Sequence, residues 1–248
     1  MEKEAYDFMI SMESDHFWSK TRRNIISKVL FTFLKNKNTK TLSVLEIGCG
    51  SGFNINYFKD NFKEFDGCEF NLDMLEIAKQ NNPQSNITQG GLPFDLKIDK
   101  KYDVIFLLDV LEHIQDDENS LIEIKKLLNP NGILIITVPA LQMLWSIHDV
   151  ANHHFRRYNV KTLKNLCKKS NLTIKYISYF NFLLFPLILV QRFVYKLTKQ
   201  SSLNETKFKN NIFNKLLYFI FNLESKLLPK IKLPYGSSII VVIANENI

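Results

Sequence analysis

Apolar positions along this chain alternate between two rhythms. Stretches rich in apolar residues at 42–47, 65–70, 102–108, 133–138, 172–178 and 237–244 have the length of buried strands. Between several of them lie amphipathic stretches, at residues 54–62 and around Leu72, Leu75, Ile77 and Ala78. The continuous runs at 104–108 and 133–138, alternating with helical patterns, predict a parallel sheet covered on both faces. Ligands of such sheets sit beyond the carboxyl ends of the strands.

The first run leads into Glu46-Ile47-Gly48-Cys49-Gly50-Ser51-Gly52. Alternating glycines allow a tight turn whose backbone lies close against a ligand, because a residue without a β-carbon tolerates positive φ. The dinucleotide fingerprint needs a third glycine at the position of Phe53, so a pyrophosphate is disfavoured. Glu69 stands about 20 residues after the first glycine, at the tip of the second run, where a carboxylate can accept from both hydroxyls of a ribose. That position suits a nicotinamide dinucleotide equally well. The third run ends in Asp109-Val110-Leu111-Glu112-His113, and the next run follows a Pro130-Asn131-Gly132 turn and ends in Val138-Pro139-Ala140.

With these motifs in place, the chain resembles the class I S-adenosylmethionine (AdoMet) methyltransferases over about residues 42–180. A bacterial subset of that family is also similar at His16-Phe17-Trp18 and in a block comprising Leu144-Trp145-Ser146, His148-Asp149 and His154-Phe155-Arg156-Arg157-Tyr158. The resemblance implies a doubly wound, Rossmann-like α/β fold with a seven-stranded sheet. Its last strand runs antiparallel, and a helical insertion lies between the last two strands. The domains expected are an N-terminal helical flap at 1–40, an AdoMet-binding core at 41–180, a basic apolar insertion at 181–235 and a final strand at 236–248.

The resemblance also implies the cofactor site: Glu46, Gly48, Cys49, Gly50, Gly52, Glu69, Phe70, Gln89, Asp109 and His113, with Asp109 and His113 at the methionine end. An acid beside the turn suits a ligand carrying an ammonium and a sulfonium. Where relatives place an acid after the third strand, this chain has Gln89-Gly90-Gly91, so adenine is expected to rest on Gln89, a backbone carbonyl and stacking. His16, Trp18 and Arg23, with Phe17 and Arg22, are expected to form a flap over the cofactor. Methyl transfer to a hydroxyl needs alignment and removal of a proton. His148 and His154 are the candidate bases, with Asp149 as an alternative base or orienting partner. Trp145, Arg156, Arg157 and Tyr158 are the candidate acceptor contacts, the two arginines suiting a carboxylate or phosphate.

Charge changes the picture at the other end. The net charge is +7, but residues 1–150 hold 16 Lys and Arg against 22 Asp and Glu, whereas residues 151–248 hold 16 against three. Such a basic third implies an anionic partner, or simply a lysine-rich surface. Residues 179–195 and 212–228 are also strongly apolar, but Pro186 and Arg192 leave the first stretch too short to span a bilayer. Lys196, Lys199, Lys207, Lys209, Lys215, Lys226, Lys230 and Lys232 surround these stretches, which are either a lid with its apolar faces buried or an interfacial element. Met1-Glu2-Lys3-Glu4 shows no hydrophobic leader. Three cysteines without metal-ligand spacing suit reduced thiols in the cytoplasm, and no metal site is expected.

The reading is therefore a methyltransferase for a small or lipid-linked acceptor, such as a cell-envelope sugar or polyprenyl metabolite, with peripheral membrane contact. The alternatives are a nicotinamide-dependent oxidoreductase and a non-catalytic AdoMet-binding, membrane-associated module. A nucleic-acid substrate is disfavoured, because the elbow at Asp109 lacks the N-P-P-Y type of segment used on flipped bases.

Overall fold

The computed structural model describes residues 10, 12–198 and 212–245; side chains 195–198 are not described. Met1 to Glu4, Lys199, Lys207 and Lys209 lie outside the described residues, as does the side chain of Lys196. Seven strands form one sheet: β1 (Ser43–Ile47), β2 (Glu64–Glu69), β3 (Ile87–Gln89), β4 (Tyr102–Leu108), β5 (Leu128–Pro139), β6 (Thr173–Phe180) and β7 (Ser238–Ala244). Their order is β3-β2-β1-β4-β5-β7-β6. All neighbours are parallel except β7, which runs antiparallel to both β5 and β6. This is the doubly wound sheet expected, with residues 181–237 between its last two strands in sequence.

Why the strands lack polar alternation is plain from their burial. Every residue of β1 and β7 is buried, because helices cover both faces. The helices are α1 (Phe17–Phe33), α2 (Phe53–Phe58), α3 (Leu72–Asn81), α4 (Asp117–Lys126), α5 (Ile147–Ala151), α6 (Val160–Lys169), α7 (Phe185–Thr198) and α8 (Ile212–Leu227). On α1, Ile25, Ile26, Val29 and Leu30 follow helical spacing and are fully buried in the core that also takes β1, β4 and part of α8. The opposite core takes Leu121 and Ile124 of α4 and Leu163 and Leu166 of α6. Near the start of β5, where its register with β4 shifts, Asn131 adopts φ 61°, a left-handed conformation that asparagine accepts where other side chains resist.

The N-terminal helix is joined to the insertion. Phe17 N donates to Asn214 Oδ1 at 3.0 Å, so α8 caps the first turn of α1. Asn24 Nδ2 donates to Asn222 Oδ1 at 2.8 Å further along. Trp18 stacks on Phe180 and Phe221, with centroids 6.0 and 5.3 Å away. Of the residues expected in a flap, Trp18 packs against β6 and α8, and His16 is buried beside Phe17. Aromatic area favours this apolar seam over a wet ligand cleft. Among the described residues, no helix is long and apolar enough to cross a membrane.

Candidate active site at the strand carboxyl ends

The glycine turn is clamped to β2, with Gly48 N and Cys49 N both donating to Cys68 O at 2.8 and 3.1 Å. Two of its glycines do different work. Gly48 sits at φ 72° with its missing Cβ only 2.5 Å from Val110 Cγ2, so packing excludes a side chain. Gly50, at φ 55°, faces open space, the cradle expected for a ligand lying on backbone. Cys49 contributes its backbone; its thiol lies against Gly67 and is pushed up by burial, far from reactive.

Carboxylates ring this cradle. Glu69 Oε2 accepts from Gly50 N at 2.8 Å and Oε1 accepts from Asn71 N at 2.9 Å. Beneath the turn, Glu46 Oε1 accepts from Asn54 Nδ2 at 2.7 Å, while the equally buried Oε2 has no partner. Burial pushes the Glu46 carboxyl up to about 8. Asp109, at φ 57°, is held by Thr137 Oγ1 at 3.1 Å and by Arg22 Nη2 at 2.8 Å. Phe70 is 71% exposed beside Gly91, and Gln89 ends β3 on the same side. Of the expected flap, Arg23 does reach the turn: its guanidinium lies 4.4 Å over the Phe53 ring and donates to Glu13 O.

Ser51 Oγ also donates to the Glu13 carboxylate at 2.6 Å. Glu13, Thr137 and Asn54 were not singled out from the sequence. Thr137 left a trace there, as the one hydroxyl within an otherwise apolar run; Glu13 and Asn54 left none.

The second cluster is built around Asp149, which is fully buried. Its carboxylate accepts from Arg157 Nε and Nη2 at 2.8 and 3.0 Å and from Ser146 N at 2.9 Å, and it pairs with His154 Nδ1 at 2.9 Å. Burial pushes this carboxyl up, but those hydrogen bonds and the Arg157 charge outweigh it and hold it well below the usual carboxylate range. Of the two roles expected for Asp149, base or orienting partner, its contacts suit the second: both oxygens are engaged, and they hold His154 and Arg157. Arg156 pairs with Asp117 at 2.7 Å and donates to Gln115 O, and Tyr158 is buried with its hydroxyl 2.8 Å from Asp117 Oδ2. Arg156, Arg157 and Tyr158, the expected acceptor contacts, each engage a carboxylate of the chain itself. Trp145 and His148 are half-buried on the same block, next to Ser146 and on α5 respectively.

The block meets the elbow after β4. Phe155 N donates to Glu112 O at 2.8 Å, and the His113 and His154 rings meet edge to face with centroids 4.5 Å apart. Burial and the neighbouring His154 push His113 down to about 4, leaving a neutral imidazole, whereas burial and Asp109 push Glu112 well above its ordinary value. Glu112, His113 and His154 bring ligating atoms within 4.8 Å of one another. His113 thus sits between the glycine-turn pocket and the Asp149 block.

The chain is similar to known proteins in sequence and in fold. A family profile described as a methyltransferase domain matches residues 17–177. A ubiquinone biosynthesis O-methyltransferase of Rickettsia bellii is 32% identical over 100 residues, covering 39% of this chain and 41% of that protein. The chain thus spans less than half the length of that relative. The corresponding protein of Pelagibacter ubique is 25% identical over 163 residues, 59% of this chain and 68% of its own. Among solved structures, an S-adenosylmethionine-dependent methyltransferase from Clostridium acetobutylicum superposes with a TM-score of 0.61, covering 98% of this chain and 97% of that one at 11% identity.

Proposed function

The chain belongs to the methyltransferase-domain family, and on that premise we propose that it transfers the methyl group of AdoMet to a small-molecule acceptor. The observation that carries this reading is the unpartnered Glu46 Oε2 beneath the open cradle at Gly50. An unpartnered buried acceptor, with Phe53 where the dinucleotide fingerprint needs a glycine, fits a cationic nucleoside rather than a diphosphate. The bound cofactor supplies an electrophilic methyl group on sulfur. The chain's residues would do the rest: Glu69 would hold the ribose hydroxyls, Gln89 and Phe70 would flank the base, and Asp109 with Arg22 would hold the amino-acid end.

His154, oriented by Asp149 through Nδ1, keeps Nε2 for the proton of an acceptor hydroxyl, with His113 beside it. His148 is the second candidate for that task. The curated relatives carry O-methyltransferase names, which favours oxygen as the methylated atom here. The basic, apolar last third favours an anionic or lipid-linked acceptor, such as an envelope sugar or polyprenyl metabolite, met at the cytoplasmic face of a membrane.

Calorimetry with AdoMet, its demethylated product and NAD tests the first step. Binding of the first two and not the third is expected, and tight NAD binding alone would refute the reading. For the acceptor, mass spectrometry of polar and lipid extracts incubated with the active protein should show one species heavier by a methylene. His154→Ala should lower turnover far more than AdoMet affinity, and equal loss of both would mark a structural role.

A further inference from the structure

Helix α8 carries two apolar faces. Leu217 and Phe221 point inward with Asn214 and Glu224, against α1 and β6, and Leu228 just beyond the helix is buried in the same core. On the other side Ile212, Leu216, Phe219, Leu223 and Leu227 recur every three or four residues and are 88, 52, 65, 38 and 38% exposed. A helix of a globular protein needs one apolar stripe to hold it in place, and α8 already has one. Leu187, Val190 and Phe193 continue the theme on α7, and Ile231 beyond α8 is 52% exposed. Scattered apolar residues on a surface are ordinary; a stripe running the length of a 16-residue helix marks an interaction face.

Charge identifies the partner. Residues 181–245 contain nine Lys and Arg against two acids, Glu205 and Glu224. Glu224 is buried and accepts from Leu183 N at 2.8 Å, so it offers no negative charge outside. Two copies meeting through this face would set one basic third against another. An anionic surface with an apolar interior is complementary to both features. Spanning is excluded for α8, which is about 24 Å long, short of the roughly 30 Å hydrocarbon thickness. It is also fastened to α1 along its inner face, so its geometry is that of a helix lying flat.

We propose that the outer face of α7 and α8 docks on an anionic lipid bilayer. The inference deepens the lipid-linked reading above, yet it needs no acceptor and no turnover to be true. Docking would also orient the pocket, because α1 carries both the Asn24 contact to Asn222 on α8 and Arg22 at Asp109.

The test is co-sedimentation of the full chain with vesicles of phosphatidylglycerol and phosphatidylethanolamine, and with phosphatidylcholine alone. Binding to the first that weakens with salt, and little to the second, is expected. Lys226, Lys230 and Lys232 all changed to Glu should weaken binding about a hundredfold, at roughly one strong electrostatic contact per lysine. Leu216, Phe219 and Leu223 all changed to Ser should do the same. AdoMet affinity and the thermal midpoint, measured alongside, show that each variant is folded and keep this test separate from that of the methyltransferase reading. Absent binding, equal binding to phosphatidylcholine, indifference to the lysine change, or a dimer that the serine change dissociates would each overturn the proposal.

Discussion

Replacing Asp149 by Asn removes the negative charge from a side chain that has no exposed surface. Arg157, whose side chain is only 10% exposed, then keeps a buried cation with its bidentate partner gone. Breaking a buried pair in this one-sided way costs about 3–5 kcal/mol, far more than the roughly 0–1 kcal/mol of a surface pair. The two contacts from Arg157 alone, at about 1.5–3 kcal/mol each for charge-assisted bonds, reach the same range. For a chain of this length each kcal/mol shifts the midpoint by about 2–4 °C, so the expected loss is about 6–20 °C. Thermal unfolding followed by circular dichroism measures it. Changing Asp149 to Leu and Arg157 to Met together should cost clearly less than Asp149→Asn alone, because no buried charge is then stranded. A single-variant loss below about 2 °C, or a double variant worse than the single one, would show that the block does not depend on this pair.

Three further outcomes follow from the site. Gly50→Ala should weaken AdoMet binding more than it lowers the thermal midpoint, because its side chain enters open space, whereas Gly48→Ala should chiefly destabilise by driving into Val110; isothermal titration beside thermal melts separates the two. Glu46 has a folded value near 8 against 4.5 unfolded, so its contribution to stability is fully present below about pH 4.5 and is lost as pH rises towards 8. The ligand-free protein should lose that contribution across this window, Glu46→Gln should flatten the limb, and pH-dependent denaturant titrations that look identical for both proteins would contradict the assignment. Trp18→Ala should cost about 3 kcal/mol by opening a cavity between Phe180 and Phe221, with chemical denaturation as the measure and a change below 1 kcal/mol as the refuting result.

The cofactor half of the site was legible in sequence because its signals are local. Glu46, the three glycines and Glu69 lie within 24 residues and occupy the ends of two strands whose apolar character announces them. The second half was read only in outline. His148, Asp149, His154, Arg156 and Arg157 are neighbours in sequence, but burial decides which are free, and burial depends on distant segments. Arg156 finds Asp117 about 40 residues away, and Trp18 finds Phe221 about 200 residues away. Polar residues that meet a partner inside the fold look identical, in a string of letters, to those awaiting a ligand.

The placement of β7 carries a consequence for how the molecule assembles. It fills an interior slot between β5 and β6, yet it follows the whole helical insertion in the chain. Until it arrives, two strands present raw edges able to recruit stray polypeptide. Loop-closure entropy makes that arrival slow, and docking of α8 onto α1 shortens the effective tether. Mutations that loosen the inner seam of the insertion should therefore raise aggregation during refolding, read by light scattering, before they impair the mature protein.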